Sequence, residues 1–203
     1  MVVGAPESER ITLDCPSALP YRISREDFSR WIEAGVFGER DFELLDGELY
    51  EIMGQNRPHR VAARLIAAAL RTAFGPGYSV DTDIDIPLGA SQPQPDVLVL
   101  RGTPRELADR DEEEGPEDVA LIVEIVDTRA DTAALKRNVY STASIPEYWI
   151  FDVNQRRLIV HREPSDEGYR LVHVFDAEQG IRPLEVGAES IPVAQMLPPA
   201  RDA

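Results

Sequence analysis

The chain carries one lysine, Lys136, beside twenty arginines. Lys136 lies twelve residues after Glu124, a carboxylate set inside the apolar run VALIVEIV, and Glu124 itself follows Asp96 by 28 residues. A carboxylate inside such a run is costly unless it is paired, hydrogen-bonded or bound to a metal. Two carboxylates on adjacent strands can converge on one hard cation. Mg²⁺ (or Mn²⁺) takes oxygen ligands, few of them from protein, and completes its shell with water and phosphate. A cation so held activates water and offsets the charge of a phosphodiester transition state. A nearby ammonium, a compact point charge, then orients the nucleophile or neutralises the phosphorane. Plainer roles are also open: Glu124 as partner of a neighbouring arginine, and Asp96, which follows Pro95, as a turn residue.

The elements that must position these groups are legible in outline. SREDFSRWIEAG predicts a helix with Ser24 as N-cap, an apolar stripe of Phe28, Trp31 and Ile32, and Gly35 as its end. FELLDGELYEIM predicts a hairpin about Asp46-Gly47. RPHRVAARLIAAALRTAF predicts a helix stopped by Gly75-Pro76-Gly77. On it, Arg57, Arg60, Arg64 and Arg71 fall in one stripe, with Val61, Leu65, Ile66 and Ala69 opposite. That stripe is either a solvated face or a phosphate-facing one. YSVDTDIDIPL and PDVLVLRG predict strands, and residues 106–118 an acidic, solvated loop. VALIVEIV predicts a central strand buried on both faces. A helix over 131–143 follows, then strands PEYWIFDV, RRLIVHRE and GYRLVHVFD. The order implies an α/β fold with one mixed sheet flanked by helices.

The combination of QPD, VEIV and a following lysine resembles the PD-(D/E)XK nuclease superfamily. The position two residues after the second acid is Val126, which cannot serve as the motif lysine; Lys136, on the following helix, matches the displaced lysine of some members. Further stretches (YRISREDFSRWIEAGVFGERDFELLDGELYEIMGQNRPHRVAARL, PQPDVLVL, LKRNVYSTASIPEYWIFD and RRLIVHR) are similar to the Uma-two family of restriction endonucleases, over roughly residues 21–175. The resemblance implies a restriction-endonuclease-like core and a magnesium-dependent endonuclease acting on DNA. Asp96 and Glu124 would match the metal carboxylates, with the backbone carbonyl of Ile125 as a further ligand and Lys136 as the catalytic lysine. Glu48, in DGEL, and His59 match positions that recur in the family; Glu48 would hold a second ion or position the first. Arg57, Arg60 and Arg64 would contact phosphate, as would His59, which as a lone histidine at a helix start also reads as a capping or surface group. Gln94 would hydrogen-bond a ligand or water. The segment between Glu124 and Lys136 is one residue shorter than the family pattern, with Thr132 where an acid is usual. That leaves a second reading, a catalytically inactive binding or assembly module on the same fold.

Composition bounds the rest. The 203 residues suit one domain over 21–185, preceded by a flexible arm at 1–20 and followed by a peripheral segment at 186–203. Net charge is −16, so long-range attraction to DNA is excluded and any contact must use a local basic patch or metal ions. Cys15 is the single cysteine and allows no internal disulfide. No apolar run reaches the roughly 20 residues that span a bilayer, and the opening MVVGAPESER lacks signal-peptide character. A cytoplasmic protein is expected, and a homodimer, since two-fold pairs are the commonest assemblies. Tyr140, Tyr148 and Trp149 are expected in the core, Glu147 in a structural role, and His161 and His173 facing solvent.

Overall fold

A computed structural model describes residues 21–52, 54–126, 131–187 and 189–199. The arm expected at 1–20, with Cys15, lies outside them. Helix α1 (Arg25–Glu33) starts where expected, with Ser24 Oγ accepting from the Asp27 amide at 3.0 Å. Strands β1 (Phe42–Leu45) and β2 (Glu48–Glu51) pair antiparallel with Leu45 opposite Glu48. Asp46 (φ 48°) and Gly47 (φ 76°) both take the left-handed conformation that a two-residue turn of this hand requires. Helix α2 (Arg57–Phe74) is capped by Asn56 and ends at Gly75, φ 73°.

The main sheet has six strands in the order β3 (Tyr78–Asp81), β4 (Val97–Arg101), β5 (Val119–Val126), β6 (Glu147–Asp152), β7 (Arg157–Ser165) and β8 (Gly168–Asp176). All neighbours are antiparallel except β5 and β6, which are parallel and joined through a crossover helix. Helix α3 (Pro104–Ala108) precedes β5, and α4 (Asp131–Thr142) is the crossover. Buried on one face are Val97, Val99, Leu121, Val123, Trp149 and Phe151 with the α2 residues Ala62, Ile66, Ala67 and Leu70. On the other face Leu98, Ile122, Ile145 and Tyr148 pack with Val139 and Tyr140 of α4. Helices on both faces explain why β5 reads as continuous apolar sequence rather than as an alternation.

Five expectations are corrected. The strand expected over YSVDTDIDIPL ends at Asp81, because Asp83 turns into the left-handed region (φ 57°) and the chain leaves the sheet toward β1, where Gln92 bridges Leu44. The acidic stretch at 106–118 is not all loop. Pro104–Ala108 is helical, with a reciprocal cap between Thr103 and Glu106, and Pro116–Asp118 forms a 3₁₀ turn. His161 is buried (4% exposed) against Tyr148, with ring centroids 5.1 Å apart; burial pushes its pKa down to about 4. The C-terminal segment is not peripheral over its described length. Strand β9 (Gly180–Ile181) pairs with β10 (Ile191–Pro192), and Val193 and Met196 of helix α5 (Val193–Met196) are fully buried with α2. The apolar side of α2 is likewise shifted: Val61 and Leu65 are only partly covered, while Ala62, Ala63, Ala67 and Leu70 make the contact.

Candidate active site

Glu124 lies on β5, on the face it shares with Ile122 and thus toward α4. Asp96 immediately precedes β4. The antiparallel register that sets Val97 opposite Val123 carries Asp96 past the end of the pairing, where its Oδ2 accepts the Ile125 amide at 2.7 Å. In a strand the amide and carbonyl of one residue point the same way, so the Ile125 carbonyl faces the Asp96 side as well. Both carboxylates are buried, at 8% and 7% exposure.

Lys136 reaches the same place from α4 and is 6% exposed. Its Nζ stands 3.0 Å from Glu124 Oε1, 2.9 Å from Glu43 Oε2 and 3.0 Å from the carbonyl of Gln94. An ammonium has three protons to donate, and three acceptors surround this one. One helical turn on, Tyr140 donates its hydroxyl to Glu124 Oε1 at 2.7 Å. The short segment before Lys136 therefore does not turn the lysine away. Within it, residues 127–130 lie outside the described residues.

The electrostatics follow from burial. Burial alone would depress the Lys136 pKa, but the Glu124 and Glu43 carboxylates overcome it and hold the ammonium above the ordinary lysine range. The Glu124 carboxyl is raised to about 7: burial pushes it up, Lys136 pulls it down, and Asp96 and Glu43 add to the rise. Three buried carboxylates (Glu43, Asp96 and Glu124) thus stand near one lysine, which pairs with Glu43 and Glu124, a local excess of carboxylates in a dry place.

Asp96 Oδ1 is held from the α2 side. His59 Nε2 lies 2.7 Å away, and Gln55 Nε2 donates at 3.2 Å. The His59 tautomer that carries its proton on Nε2 is a donor here. The cap at Asn56 aims the ring: Asn56 Oδ1 accepts the His59 amide at 3.1 Å and so fixes the first turn of α2. Gln94 joins mainly through its backbone. Its carbonyl receives Lys136, its amide donates to Glu43 at 3.2 Å, and its side chain donates to the Asp83 carbonyl.

One site expectation needs revision. Glu48 is outside the cluster: it is exposed, 2.9 Å from Arg22, and accepts from the Tyr50 hydroxyl. Glu43, five residues earlier on β1, occupies the position instead, with 5% exposure. Its signal was present in FELL, where an acid stands among Phe42, Leu44 and Leu45 just as Glu124 stands in VALIVEIV. Arg57, Arg60 and Arg64 are exposed on α2; Arg60 donates to the Gln55 carbonyl. Arg71 folds back onto the Val80 carbonyl at 2.7 Å.

Among the described residues no three histidine, cysteine or acidic side chains stand together as a ready metal cage. Each carboxylate is turned to Lys136 or to a hydrogen-bond donor. The donor chemistry nevertheless fits a hard divalent ion. The groups are carboxylate and carbonyl oxygens, and their excess negative charge is what such an ion offsets. Among the described residues no helix is long and apolar enough to cross a membrane.

The sequence matches the model of the Uma2 family, described as "Putative restriction endonuclease", over residues 25–194. A crystal structure of a "putative nuclease belonging to DUF820" from Anabaena variabilis is similar in fold. Its TM-score is 0.63 at 12% identity, over 76% of this chain and 88% of that one. No curated protein matches the sequence. The family match runs from α1 into α5 and so takes in every residue of the buried cluster; the protein belongs to the Uma2 family.

Proposed function

We propose that the protein is a metal-dependent endonuclease that hydrolyses phosphodiester bonds of DNA, with its catalytic lysine on α4. The observation that carries this reading is the burial of the chain's one lysine between Glu124, Glu43 and the Gln94 carbonyl. A surface charge has no reason to be there. Asp96, Glu124 and the Ile125 carbonyl would hold Mg²⁺ or Mn²⁺, which when bound supplies Lewis acidity toward a phosphate oxygen and acidifies its water.

The chain's own groups divide the remaining work. Lys136, its pKa raised, stays an ammonium at neutral pH and acts as a positive point charge toward the developing phosphorane, not as a general base. Glu43 keeps that ammonium in place, and Tyr140 fixes one oxygen of Glu124. His59 and Gln55 hold Asp96 in its rotamer. In the net reaction a water oxygen bonds to phosphorus as one bridging P–O bond breaks, leaving a phosphate monoester and a hydroxyl. Arg57, Arg60 and Arg64, with the Gln94 side chain, are the proposed contacts to DNA. The catalytic unit spans residues 21–199, and two copies paired by two-fold symmetry would cut two strands.

The test is calorimetric titration of Mg²⁺ and Mn²⁺ together with plasmid nicking, on the wild type, Glu124→Ala and Lys136→Ala. Ion binding that disappears in Glu124→Ala and nicking that disappears in both variants are expected. The net charge of −16 favours a second reading, a silent assembly module on the same fold. Absence of both ion binding and nicking in the wild type would select it.

A further inference from the structure

Beside the buried cluster lies a cavity of about 220 Å³, between α1, β1 and the loop that carries Gln94. Its walls are of two kinds. Ile32, Phe37 and Phe42 form an apolar side, with the Phe37 and Phe42 rings 4.6 Å apart and tilted. Asp85, Gln92 and Gln94 form a polar side. Gln94 belongs to both places, since its backbone carbonyl receives Lys136. The cavity therefore opens next to the proposed scission point rather than at a remote surface.

The volume is below the roughly 300–1,000 Å³ of pockets that take drug-sized ligands. It suits one flat heterocycle, with aromatic rings to stack on and hydrogen-bonding groups along one edge. The polar edge is biased. Asp85 is an acceptor only, and its partner Gln92 spends its amide N–H on it. The Gln92 carbonyl oxygen is buried with no hydrogen-bond partner among the described residues. The acceptor presented to the cavity is therefore the exposed Asp85 carboxylate. At the rim, Arg40 lies over the Phe42 ring at 5.2 Å with most of its side chain in solvent, where a backbone phosphate would pass.

We propose that this cavity binds one unpaired nucleobase of the DNA strand that is cut. Bases that present an exocyclic amino group are preferred over thymine. Stacking on aromatic faces with edge hydrogen bonds is how unpaired bases are held elsewhere. The substrate is then single-stranded, flapped or locally melted DNA. The proposal takes its ligand from the nuclease reading above, but the geometry concerns binding and is testable without cleavage.

The experiment is fluorescence anisotropy in EDTA with 5′-labelled single-stranded 12-mers of cytosine, of thymine and of abasic sugar-phosphate. Proteins are the wild type, Ile32→Trp, which fills the cavity, and Asp85→Asn, an exposed change that alters the polar edge. A parallel nicking assay in Mg²⁺ reports on the nuclease reading separately. The wild type is expected to bind the cytosine strand about tenfold tighter than the abasic one, a difference of 1.4 kcal/mol. The difference should vanish in Ile32→Trp, and the cytosine preference over thymine should shrink in Asp85→Asn. Equal binding of base-bearing and abasic strands by the wild type overturns the proposal, even if nicking is robust. Discrimination that survives in a folded Ile32→Trp also overturns it. Should that variant not fold, loss of base preference in Asp85→Asn supports the proposal and its retention refutes it. Discrimination without nicking would leave the base site standing and remove the nuclease reading.

Discussion

Glu124 is held in a place that resists its charge, and replacing it by glutamine tests that statement quantitatively. The unfolded chain has the ordinary glutamate value of 4.5, while burial pushes the folded value up to about 7, Lys136 notwithstanding. The folded state therefore binds this proton more tightly than the unfolded state. Below pH 4.5 both states carry it and the group is neutral to stability. As pH rises from 4.5 to about 7 the folded state is progressively penalised, and above pH 7 the penalty is complete. One pKa unit is worth about 1.4 kcal/mol, so the full penalty is on the order of 3 kcal/mol. Glu124→Gln cannot ionise, still offers an oxygen to Tyr140, and leaves Lys136 paired with Glu43 and the Gln94 carbonyl. In EDTA the variant should be more stable than the wild type by about 2–3 kcal/mol at pH 8, equivalent to roughly 4–12 °C in Tm for a chain of this size. The gain should shrink toward zero at pH 5, and the same variant should lose nicking, a trade of function for stability. Urea unfolding at pH 5, 6, 7 and 8 measures it. A glutamine variant no more stable than the wild type at pH 8, or a difference independent of pH, would refute the assignment of a strained carboxylate.

Three further outcomes follow from the same contacts. Lys136→Met leaves Glu43 and Glu124 without their cation; breaking a buried pair typically costs 3–5 kcal/mol, so a loss of about 3 kcal/mol is expected at pH 8. It should be smaller at pH 5, where Glu124 takes up a proton, and urea midpoints at the two values decide it. Glu43→Gln should slow nicking at least tenfold, about 1.4 kcal/mol of barrier, whereas the exposed Glu48→Gln should leave both nicking and stability, to within about 0.5 kcal/mol, unchanged. Met196→Ala should cost about 2–5 kcal/mol in thermal or urea unfolding, because Met196 is fully buried against α2; a negligible effect would contradict the packing of the C-terminal segment.

Where the signal was local, the sequence carried it. Ser24 with Asp27, the Asp46-Gly47 turn and the Gly75 stop each fix an element through neighbours a few residues apart. Glu124 was legible for a different reason: its cost inside an apolar strand demands a partner, and Lys136 was the one cation not written as arginine. What was missed depends on distant pairing. Glu43 carries the same local mark as Glu124, an acid among apolar neighbours in FELL, but only its long-range pairing with Lys136 of α4 shows what that mark is for. His161 alternates with apolar neighbours as a surface residue would, and only the packing of Tyr148 and Tyr169 on it reveals its burial. The C-terminal IPVAQM is too short to announce itself, yet β9 and α2 give it a place in the core.

The cluster draws one residue each from β1, the approach to β4, β5 and α4, with His59 of α2 behind them. Its contacts close long loops: Gln94 to Glu43 spans 51 residues, Gln94 to Lys136 spans 42, and Asp96 to Ile125 spans 29. Contacts so far apart in sequence form late, since each must first offset the entropy of closing its loop. A chain still emerging from the ribosome has β1 and β4 before it has α4, so it holds the acids without the ammonium. A chain that frays at either end of this span loses the arrangement again. For the proposed nuclease, cutting power is thereby tied to completed folding: a damaged or half-made copy carries the pieces of the centre but not the centre.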